Sequence, residues 1–432
     1  MPDTIFLSLA SYRDPELVPS INSAIANAHD PDNLRFGVGW QHSPEETLPP
    51  EWHTDPRFII LDVPTTDTKG VCWMRAMIMQ QWAGEDFYLQ LDSHHRFAPN
   101  WDIQLLKMWS DLKACGVEKP LLTSYISAFN PANDPAGRHP SPYSFHWDRF
   151  IPEGSFFTRP GDMPNWQQLR FPESSRFFSA HFAFVEGKFC REVPYDPNIF
   201  FHGEEPDMAV RAYTHGYDSF AIHRPLVWHE YTRVGRPHVW DQKEPIEKIH
   251  HTWNVAAHAR VKKLLGTDGE RCDIDFGPYG LGTKRTLADY ERFAGIRFRD
   301  RTVQQWTLDF KPPPNPNVHT DQEWEESLLR YVHHCIDVHM PGETREEFVK
   351  ALDEFDFWAV TFHNKAGKEV YRQDAVEKDI QGFKPDPDRY CKVWRSFFAD
   401  PKDPPVTWIV RMHSKTRKED DGWCPIITGP CP

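Results

Sequence analysis

The first hundred residues alternate strand-like and helix-like segments, and this alternation constrains the fold of the chain more than any other feature. Short connections between such segments are typical of repeated βαβ units and predict a Rossmann-like α/β domain with a parallel sheet. Ligands of open parallel sheets bind beyond the carboxyl ends of the strands, and Asp92 follows one predicted strand directly. The predicted elements are strands at Thr4–Leu9, Leu34–Trp40 and Phe87–Leu91, and helices over 17–28 and Val71–Ala83, the first of them after the start signal Asp14-Pro15.

Later in the chain, strand patterns return and proline-rich stretches separate them. Residues 130–172 form a long Pro-rich stretch, which predicts a functional lid or a poorly ordered loop. Residues 311–317 are the clearest linker, semi-rigid by composition, so we predict a catalytic α/β domain over 1–310 and an accessory domain over 318–432. Further strands of the first domain are predicted at Leu121–Ser127, Phe177–Val185 and Ser219–Ile222.

Beyond the linker, the pattern predicts an accessory domain that is α+β or β-rich. Its predicted elements are a helix at Glu323–Val338, strands at Phe357–His363 and Val406–Met412, and a turn at Asn364–Lys368. No internal repeat is evident in either part of the chain.

Composition excludes several classes of function. The formal net charge of −14 argues against nucleic-acid or membrane-surface binding, because both need a basic surface. The 8 cysteines are scattered without a C-x-x-C pair, which predicts reduced thiols. The first residues lack a basic segment followed by a long apolar run, and no apolar run approaches a membrane span. We therefore expect neither a signal peptide nor a membrane partner, and predict a cytoplasmic protein.

The sharpest local motif is Asp92-Ser93-His94, a D-x-H sequence directly after a predicted strand. Side chains two apart at a strand tip share a face, so the carboxylate and the imidazole can turn toward one cation. Oxygen and nitrogen ligands together suit Mn²⁺ or another divalent cation that keeps open positions for phosphate oxygens. The alternative interpretation is a turn with a solvated histidine.

Two further segments are candidates for the same site. His229 ends a predicted strand and precedes Arg233, so this segment offers a third ligand and a cation; the alternative is a core histidine. Gly203, Glu204 and Glu205 begin a predicted helix, where the acids suit the grip of sugar hydroxyls. The alternative there is ordinary capping of a helix N-terminus by acidic residues.

Several segments occur in consistent order over roughly residues 4–300: Ala10–Leu17, Gly70–Arg75, Leu89–His94, Phe201–Glu205 and Gly280–Leu287. They resemble the cytoplasmic N-acetylglucosaminyltransferases that modify hydroxyproline in protists, together with their bacterial relatives. A second set consists of Asp92-Ser93-His94, Ala180–Phe184, the Gly203-Glu204 segment with Arg211 downstream, and His229. This set more distantly resembles the corresponding segments of polypeptide N-acetylgalactosaminyltransferases. The sequence departs from the family-like Gly-Gly before the acid, where His202-Gly203 stands, and the part after residue 317 lies outside the resemblance.

The resemblance implies a GT-A fold and a retaining transfer of N-acetylglucosamine, or a related sugar, from a UDP-sugar donor. The acceptor would be a hydroxyl group, with a peptide or protein among the candidates. Mn²⁺, held by Asp92, His94 and His229, would neutralise the diphosphate. Glu204 and Glu205 would be catalytic residues that position the sugar and the acceptor. The implied donor-binding residues are Ala10, Ser11, Tyr12, Arg13, Gln41, Lys69, Arg75, Asp92, Ser93, Arg233 and Arg236.

Two other classes of function compete with this hypothesis. A metal-dependent hydrolase uses the same ligand types to activate water, although no H-E-x-x-H motif or binuclear His/Asp cluster appears in the sequence. A non-catalytic sugar-binding protein would tolerate loss of the metal and show no turnover of the donor.

Overall fold

The computed structural model of the protein describes residues 3–232, 236–241, 246–270, 273–316, 318–339, 354–382, 390–416 and 426–431. The chain divides into two compact units. The first comprises residues 1–300 and 306–324, and the second comprises 301–305 and 325–432.

The first unit is built on a mixed sheet of eight strands, in the order β10-β12-β6-β11-β4-β1-β2-β3. Strands β3, β2, β1 and β4 run parallel, as predicted, but β11 lies between β4 and β6 and is antiparallel to both. The strands of the unit are β1 (Ile5–Tyr12), β2 (Leu34–His42), β3 (Phe58–Pro64), β4 (Phe87–Asp92), β5 (His95–Phe97), β6 (Pro120–Thr123), β7 (Ser127–Ala128), β8 (Tyr143–Phe150), β9 (Phe156–Asp162), β10 (Glu173–Ser174), β11 (Phe182–Glu186), β12 (Asp218–Ala221), β13 (Val227–His229) and β14 (Ile296–Arg297).

Helices pack against this sheet because its central strands are apolar on both sides. In β1, for example, Phe6, Leu7 and Leu9 are all buried, the pattern of a parallel strand covered on both faces. No described helix combines the length and the apolar composition needed to cross a bilayer. The described α-helices before residue 328 are α1 (Leu17–Asn27), α2 (Val71–Met79), α3 (Trp101–Ala114), α4 (Phe189–Glu192), α5 (Glu204–Thr214), α6 (Ile246–Leu265), α7 (Leu287–Ala294), α8 (Gln305–Leu308) and α9 (Asp321–Ser327).

A small second sheet crosses the carboxyl edge of the main one. Strand β13 lies between β5 and β7, and its register places His229 opposite His95. In the main sheet, Asp92 at the end of β4 pairs with Ala10 near the end of β1. The two sheets therefore bring residues from distant parts of the sequence to one edge.

Two sequence-based predictions in this unit are wrong in detail. Phe87–Leu91 is predicted as the third strand, but β3 at Phe58–Pro64 precedes it in the chain and pairs with β2. Residues 130–172, predicted as a functional lid or a poorly ordered loop, contain a β-hairpin of β8 and β9. Pro160 lies within β9 opposite Phe145, whereas the other prolines of this stretch lie outside both strands. Both strands of a two-stranded hairpin are edge strands, where a proline is tolerated.

The second unit is β-rich, one of the two classes predicted for the accessory domain. Two antiparallel sheets, one containing β15-β16-β20 and the other β18-β17-β21-β22, enclose one apolar core. Phe355, Trp358, Val393 and Met412 are among the buried side chains of that core. Its described elements are β15 (Thr302–Gln304), β16 (Leu328–His339), β17 (Phe355–His363), β18 (Glu369–Arg372), β19 (Ala375–Val376), α10 (Glu377–Gly382), β20 (Tyr390–Ala399), β21 (Thr407–Ser414) and β22 (Ile426–Pro430).

The structure differs from the sequence analysis at the junction of the units. The predicted helix Glu323–Val338 is wrong beyond Ser327, because strand β16 begins at Leu328 and pairs with β20 along its length. Residues 311–317, predicted as a linker, fall within the first unit. There, Asn315 is buried, donates to Thr307 Oγ1 (2.7 Å) and accepts a hydrogen bond from Arg176 (2.6 Å).

Candidate active site

Three potential metal ligands meet where β4, the β4–β5 turn and β13 end. Asp92 Oδ2 lies 3.7 Å from His94 Nε2 and 3.4 Å from His229 Nε2. The three donor atoms all lie within 4.8 Å of one another. Both imidazoles are buried, whereas the Asp92 side chain keeps 20% of its surface exposed. The protein therefore encloses the cluster at the two histidines and leaves it open at Asp92.

The chemistry of these donors fits a divalent cation. His94 Nε2 is buried and has no hydrogen-bond partner among the described residues, an arrangement that is costly unless something else binds there. Burial also holds the pKa of the His229 imidazole well below its ordinary value, so this side chain is neutral near pH 7. One carboxylate oxygen and two imidazole nitrogens suit Mn²⁺ and related ions. The cluster would hold the cation and leave its remaining positions to a ligand from the open side.

Asp14 orients this cluster from behind. Its Oδ2 accepts hydrogen bonds from His94 Nδ1 (2.7 Å), Ser93 Oγ (2.8 Å) and Arg236 Nη1 (3.0 Å). Burial tends to raise the pKa of Asp14, but the hydrogen bond with His94 and the charges of His94 and Arg236 lower it below its ordinary value. The carboxylate thus stays charged and directs His94 Nε2 toward Asp92.

Arg75 links the metal ligands to the start of helix α5. Its buried guanidinium donates to Asp92 Oδ1 (2.5 Å) and to Glu204 Oε1. Burial alone would raise the pKa of Asp92, but the hydrogen bond with His229 and the charge of Arg75 hold it well below its ordinary value. Arg75 therefore keeps one oxygen of Asp92 engaged and leaves the other facing the histidines.

Glu204 and Glu205 occupy the first turn of α5, directly after Gly203. The φ angle of Gly203 is +96°, a conformation that favours glycine and sets the direction in which α5 begins. Glu205 accepts hydrogen bonds from the Ala180 backbone N–H (3.0 Å) and from Tyr125 Oη (3.2 Å). Burial raises the pKa of Glu205 to about 7. This carboxyl group is therefore poised between its neutral and charged forms near neutral pH.

Two neighbouring cavities open onto the cluster and share Val71, Asp92 and Phe201 in their walls. The first has a volume of about 130 Å³, and its other lining residues include Ala10, Tyr12, Asp14, Ser93, His94, Arg236 and Trp240. The second has a volume of about 430 Å³, and its other lining residues include Arg75, Tyr125, Phe157, His181, Glu204, Glu205, His229 and Tyr231. Asp92 stands at the junction of the two cavities.

Most residues predicted for the site lie in these walls, but four do not. Gln41 and Ser11 are buried but line neither cavity, and Gln41 donates to the Ser11 carbonyl (3.2 Å). Arg13 turns to Glu45 and Glu46, and Lys69 is exposed with its Nζ 5.8 Å from the Trp73 ring. Arg233 lies outside the described residues.

Sequence reasoning missed several residues of the site. Asp14 was interpreted only as the start signal of helix α1, although it contacts His94 and Arg236. His181 and Tyr231 flank His229, with ring centroids 4.3 Å away in each case. The sequence signal for each of these residues was its position beside a residue already singled out: His181 follows Ala180, and Tyr231 stands two residues after His229. Neither residue type has a pattern of its own that marks a site.

The family comparison identifies the class of protein as a glycosyltransferase. This class agrees with the fold, the metal-ligand cluster and the paired cavities. The chain belongs to the glycosyltransferase (GlcNAc) family, whose sequence model matches residues 4–54 and 53–300. The predicted α/β domain, followed by a β-rich region, is confirmed. No curated protein sequence matches the chain.

Among solved structures, the chain is similar to GalNAc-T7 with UDP, GalNAc and Mn²⁺, at 15% identity and a TM-score of 0.44. That match covers 73% of this chain and 60% of the GalNAc-T7 chain. A second similar structure is S. aureus TarS 1-349 in complex with UDP-GlcNAc, at 11% identity and a TM-score of 0.36. The match covers 58% of this chain and 66% of the TarS 1-349 chain. A third similar structure is S. aureus TarS, at 9% identity and a TM-score of 0.35. The match covers 99% of this chain and 77% of the TarS chain.

Proposed function

We propose that the protein transfers N-acetylglucosamine, or a related sugar, from a UDP-linked donor to a hydroxyl acceptor with retention of anomeric configuration. Membership of the glycosyltransferase (GlcNAc) family supports the reaction class. The observation that carries the proposal is the convergence of Asp92, His94 and His229 at the junction of two cavities. One cavity suits a nucleotide and the other suits a sugar with its acceptor.

The first cavity would hold the nucleotide. Its walls combine the rings of Tyr12 and Trp240 with the guanidinium of Arg236, which suits a flat base followed by an anionic group. The Asp92, His94 and His229 side chains would hold Mn²⁺, which when bound supplies positive charge against the diphosphate. Ser93 and Asp14 keep His94 in place through the hydrogen bonds on Asp14 Oδ2.

The second cavity would hold the donor sugar and the acceptor hydroxyl. Glu204 is engaged by Arg75, and Glu205 is engaged by Tyr125 and Ala180, so neither carboxylate is free for covalent attack. We assign both to positioning of sugar hydroxyls. In the proposed reaction the bond from the anomeric carbon to the phosphate oxygen breaks, with its electron pair leaving on UDP. The acceptor oxygen bonds to the same face of that carbon, and the departing phosphate takes the acceptor proton.

The proposal is tested by incubating the full chain with UDP-GlcNAc, UDP-GalNAc or UDP-glucose and Mn²⁺, and measuring released UDP and free sugar. Slow release that depends on Mn²⁺ and accelerates with a hydroxyl acceptor supports transfer. Cleavage of unrelated esters or peptides would instead indicate a hydrolase, and binding without turnover would indicate a sugar-binding protein. An acceptor screen with labelled donor then separates peptides, proteins and small alcohols.

The acceptor, the cellular location and the role of Arg236 are also proposals. The resemblance to hydroxyproline-modifying enzymes suggests that hydroxyproline peptides belong in the acceptor screen. A cytoplasmic location is likewise proposed from the 8 cysteines, which are scattered without a C-x-x-C pair. Arg236 is proposed to face the phosphates, because it lines the first cavity beside Ser93 and His94.

A further inference from the structure

The second unit presents aromatic side chains on the outer face of strands β16 and β20. The inward residues of these strands, such as Ile336 and Val393, belong to the core between the two sheets. The residues that alternate with them point outward, as the pleat of a strand requires. We call the outward residues Tyr331, His333, Trp394, Ser396 and Phe398 the aromatic strip.

The members of the aromatic strip hold one another in position. Tyr331 lies opposite Phe398, with ring centroids 5.2 Å apart, and His333 lies opposite Ser396. His333 Nδ1 and Ser396 Oγ are 2.6 Å apart, and the His333 ring stacks on Trp394 at 5.1 Å and 24°. Trp394 nevertheless keeps 54% of its surface exposed. These contacts within the strip therefore fix its side chains in the absence of a ligand.

Leaving a tryptophan on a solvent-facing strand forgoes the gain of burying its apolar surface, and such exposed patches commonly mark binding sites. The strip also alternates rings with hydrogen-bonding groups. His333 and Ser396 separate the Tyr331–Phe398 pair from Trp394. At the far end, Asp337 lies opposite Lys392. A ligand that lies along the strip meets aromatic faces and polar groups in turn.

We infer that the aromatic strip binds an oligosaccharide. The C–H groups on one face of a sugar ring pack on the electron-rich face of an aromatic ring, and its hydroxyls hydrogen-bond to groups beside that ring. The Tyr331–Phe398 pair and Trp394 are four residues apart along their strands, or about 13 Å. A ligand that contacts both must be longer than one sugar ring.

The size and charge of the surface exclude other occupants. The strip is two strands wide and five residues long, and it measures about 10 Å by about 13 Å. This area is far below the roughly 800 Å² that each partner buries in a stable protein interface. The net charge of −14 disfavours a nucleic acid. A neutral oligosaccharide fits both the area and the mixture of rings and polar groups.

This inference is independent of the proposed transferase reaction, because the strip lies beyond residues 4–300 that match the family. The test is isothermal titration calorimetry of the full chain with chitotriose, cellotriose and monomeric N-acetylglucosamine. We expect a trisaccharide to bind more tightly than the monosaccharide. Trp394→Ala should weaken that binding at least about tenfold, equivalent to about 1.4 kcal/mol, whereas Trp394→Phe should retain most of it.

Two controls locate the binding. Phe171→Ala removes another exposed aromatic side chain, from the first unit, and should leave the trisaccharide affinity unchanged. Asp92→Ala, in the candidate active site, should also retain it. The inference is overturned if neither trisaccharide binds, or if Trp394→Ala binds as tightly as the wild type. It is also overturned if sedimentation velocity shows a wild-type dimer that Trp394→Ala converts to a monomer.

Discussion

The carboxylate of Asp14 accepts a hydrogen bond from His94 Nδ1 at 2.7 Å and thereby fixes which ring nitrogen faces Asp92. Such carboxylate–histidine pairs orient metal ligands in many proteins and raise their basicity. Arg236, another donor to this carboxylate, lies 222 residues after Asp14 in the sequence. One carboxylate therefore joins a metal ligand to a cation of the nucleotide cavity.

Asp14→Ala should weaken Mn²⁺ binding by about 10–100-fold without unfolding the protein, because His94 loses the group that orients it. Asp14→Asn should have a smaller effect, since the amide oxygen still accepts the hydrogen bond. Titration calorimetry of metal-free protein with Mn²⁺ measures both changes. Asp62→Ala is the matched control, because Asp62 forms a comparable pair with His42 (2.9 Å) on β2 and β3, away from the cavities. Equal affinity in Asp14→Ala and Asp62→Ala would contradict the assigned role.

The pH dependence of stability should carry a contribution from Glu205. Burial raises its pKa from the ordinary 4.5 to about 7, so between these values the folded protein holds a proton that the unfolded chain has lost. The stabilising effect is complete below the unfolded pKa and is lost as pH rises through about 7, by up to roughly 3 kcal/mol.

Glu205→Gln should remove this contribution, since the amide cannot ionise. Urea unfolding at pH 5, 6, 7 and 8 should show the free energy of unfolding of the variant gaining on the wild type as pH rises. Glu51→Gln, at an exposed glutamate, is the control and should show no such trend. A constant difference between Glu205→Gln and wild type across the range would contradict the raised pKa.

Gly203→Ala should destabilise the protein and lower turnover more than an equivalent change elsewhere. An added Cβ would lie 2.8 Å from Val261 Cγ2, and the φ of +96° already costs a non-glycine residue roughly 1–2 kcal/mol. Gly84→Ala is the matched control, because Gly84 has a φ of +117° with no atom within 4 Å of an added Cβ. Both variants carry the free-energy cost of a non-glycine residue at a positive φ angle. A difference between them in the free energy of unfolding or in UDP release therefore reports the displacement of Glu204 and Glu205 in Gly203→Ala. Identical behaviour would argue against a tight fit at the start of α5.

The first half of the fold followed from the sequence because its local signals agree with its tertiary structure. Strand β1, helix α1 and strand β2 were predicted nearly at their observed bounds, since apolar runs and helical spacing there match burial. Strand β3 was missed: most of its side chains are only partly buried, so its pattern is weak. Strand β16 was mistaken for a helix because Glu323–Ser327 are helical and the pairing with β20 lies about 60 residues away in sequence.

The candidate site was predictable only where neighbours in sequence share the chemistry. Asp92 and His94 stand two residues apart, so their joint action follows from strand geometry alone. The approach of His229 depends on β13 pairing with β5, which no local pattern specifies, so the sequence alone left a core histidine as the alternative. Asp14 looked like a helix start because Asp-Pro is a common turn signal. Its carboxylate role depends on Arg236, far along the chain.

The most direct test of the central claim is metal removal and return. The full chain is stripped of metal with excess chelator, and UDP release from UDP-GlcNAc is measured before and after Mn²⁺ is added back. We expect release to stop in chelator and to return with Mn²⁺ in the wild type, but not in Asp92→Ala or His229→Ala, both of which should remain folded by circular dichroism. Undiminished release of UDP in excess chelator would contradict the account.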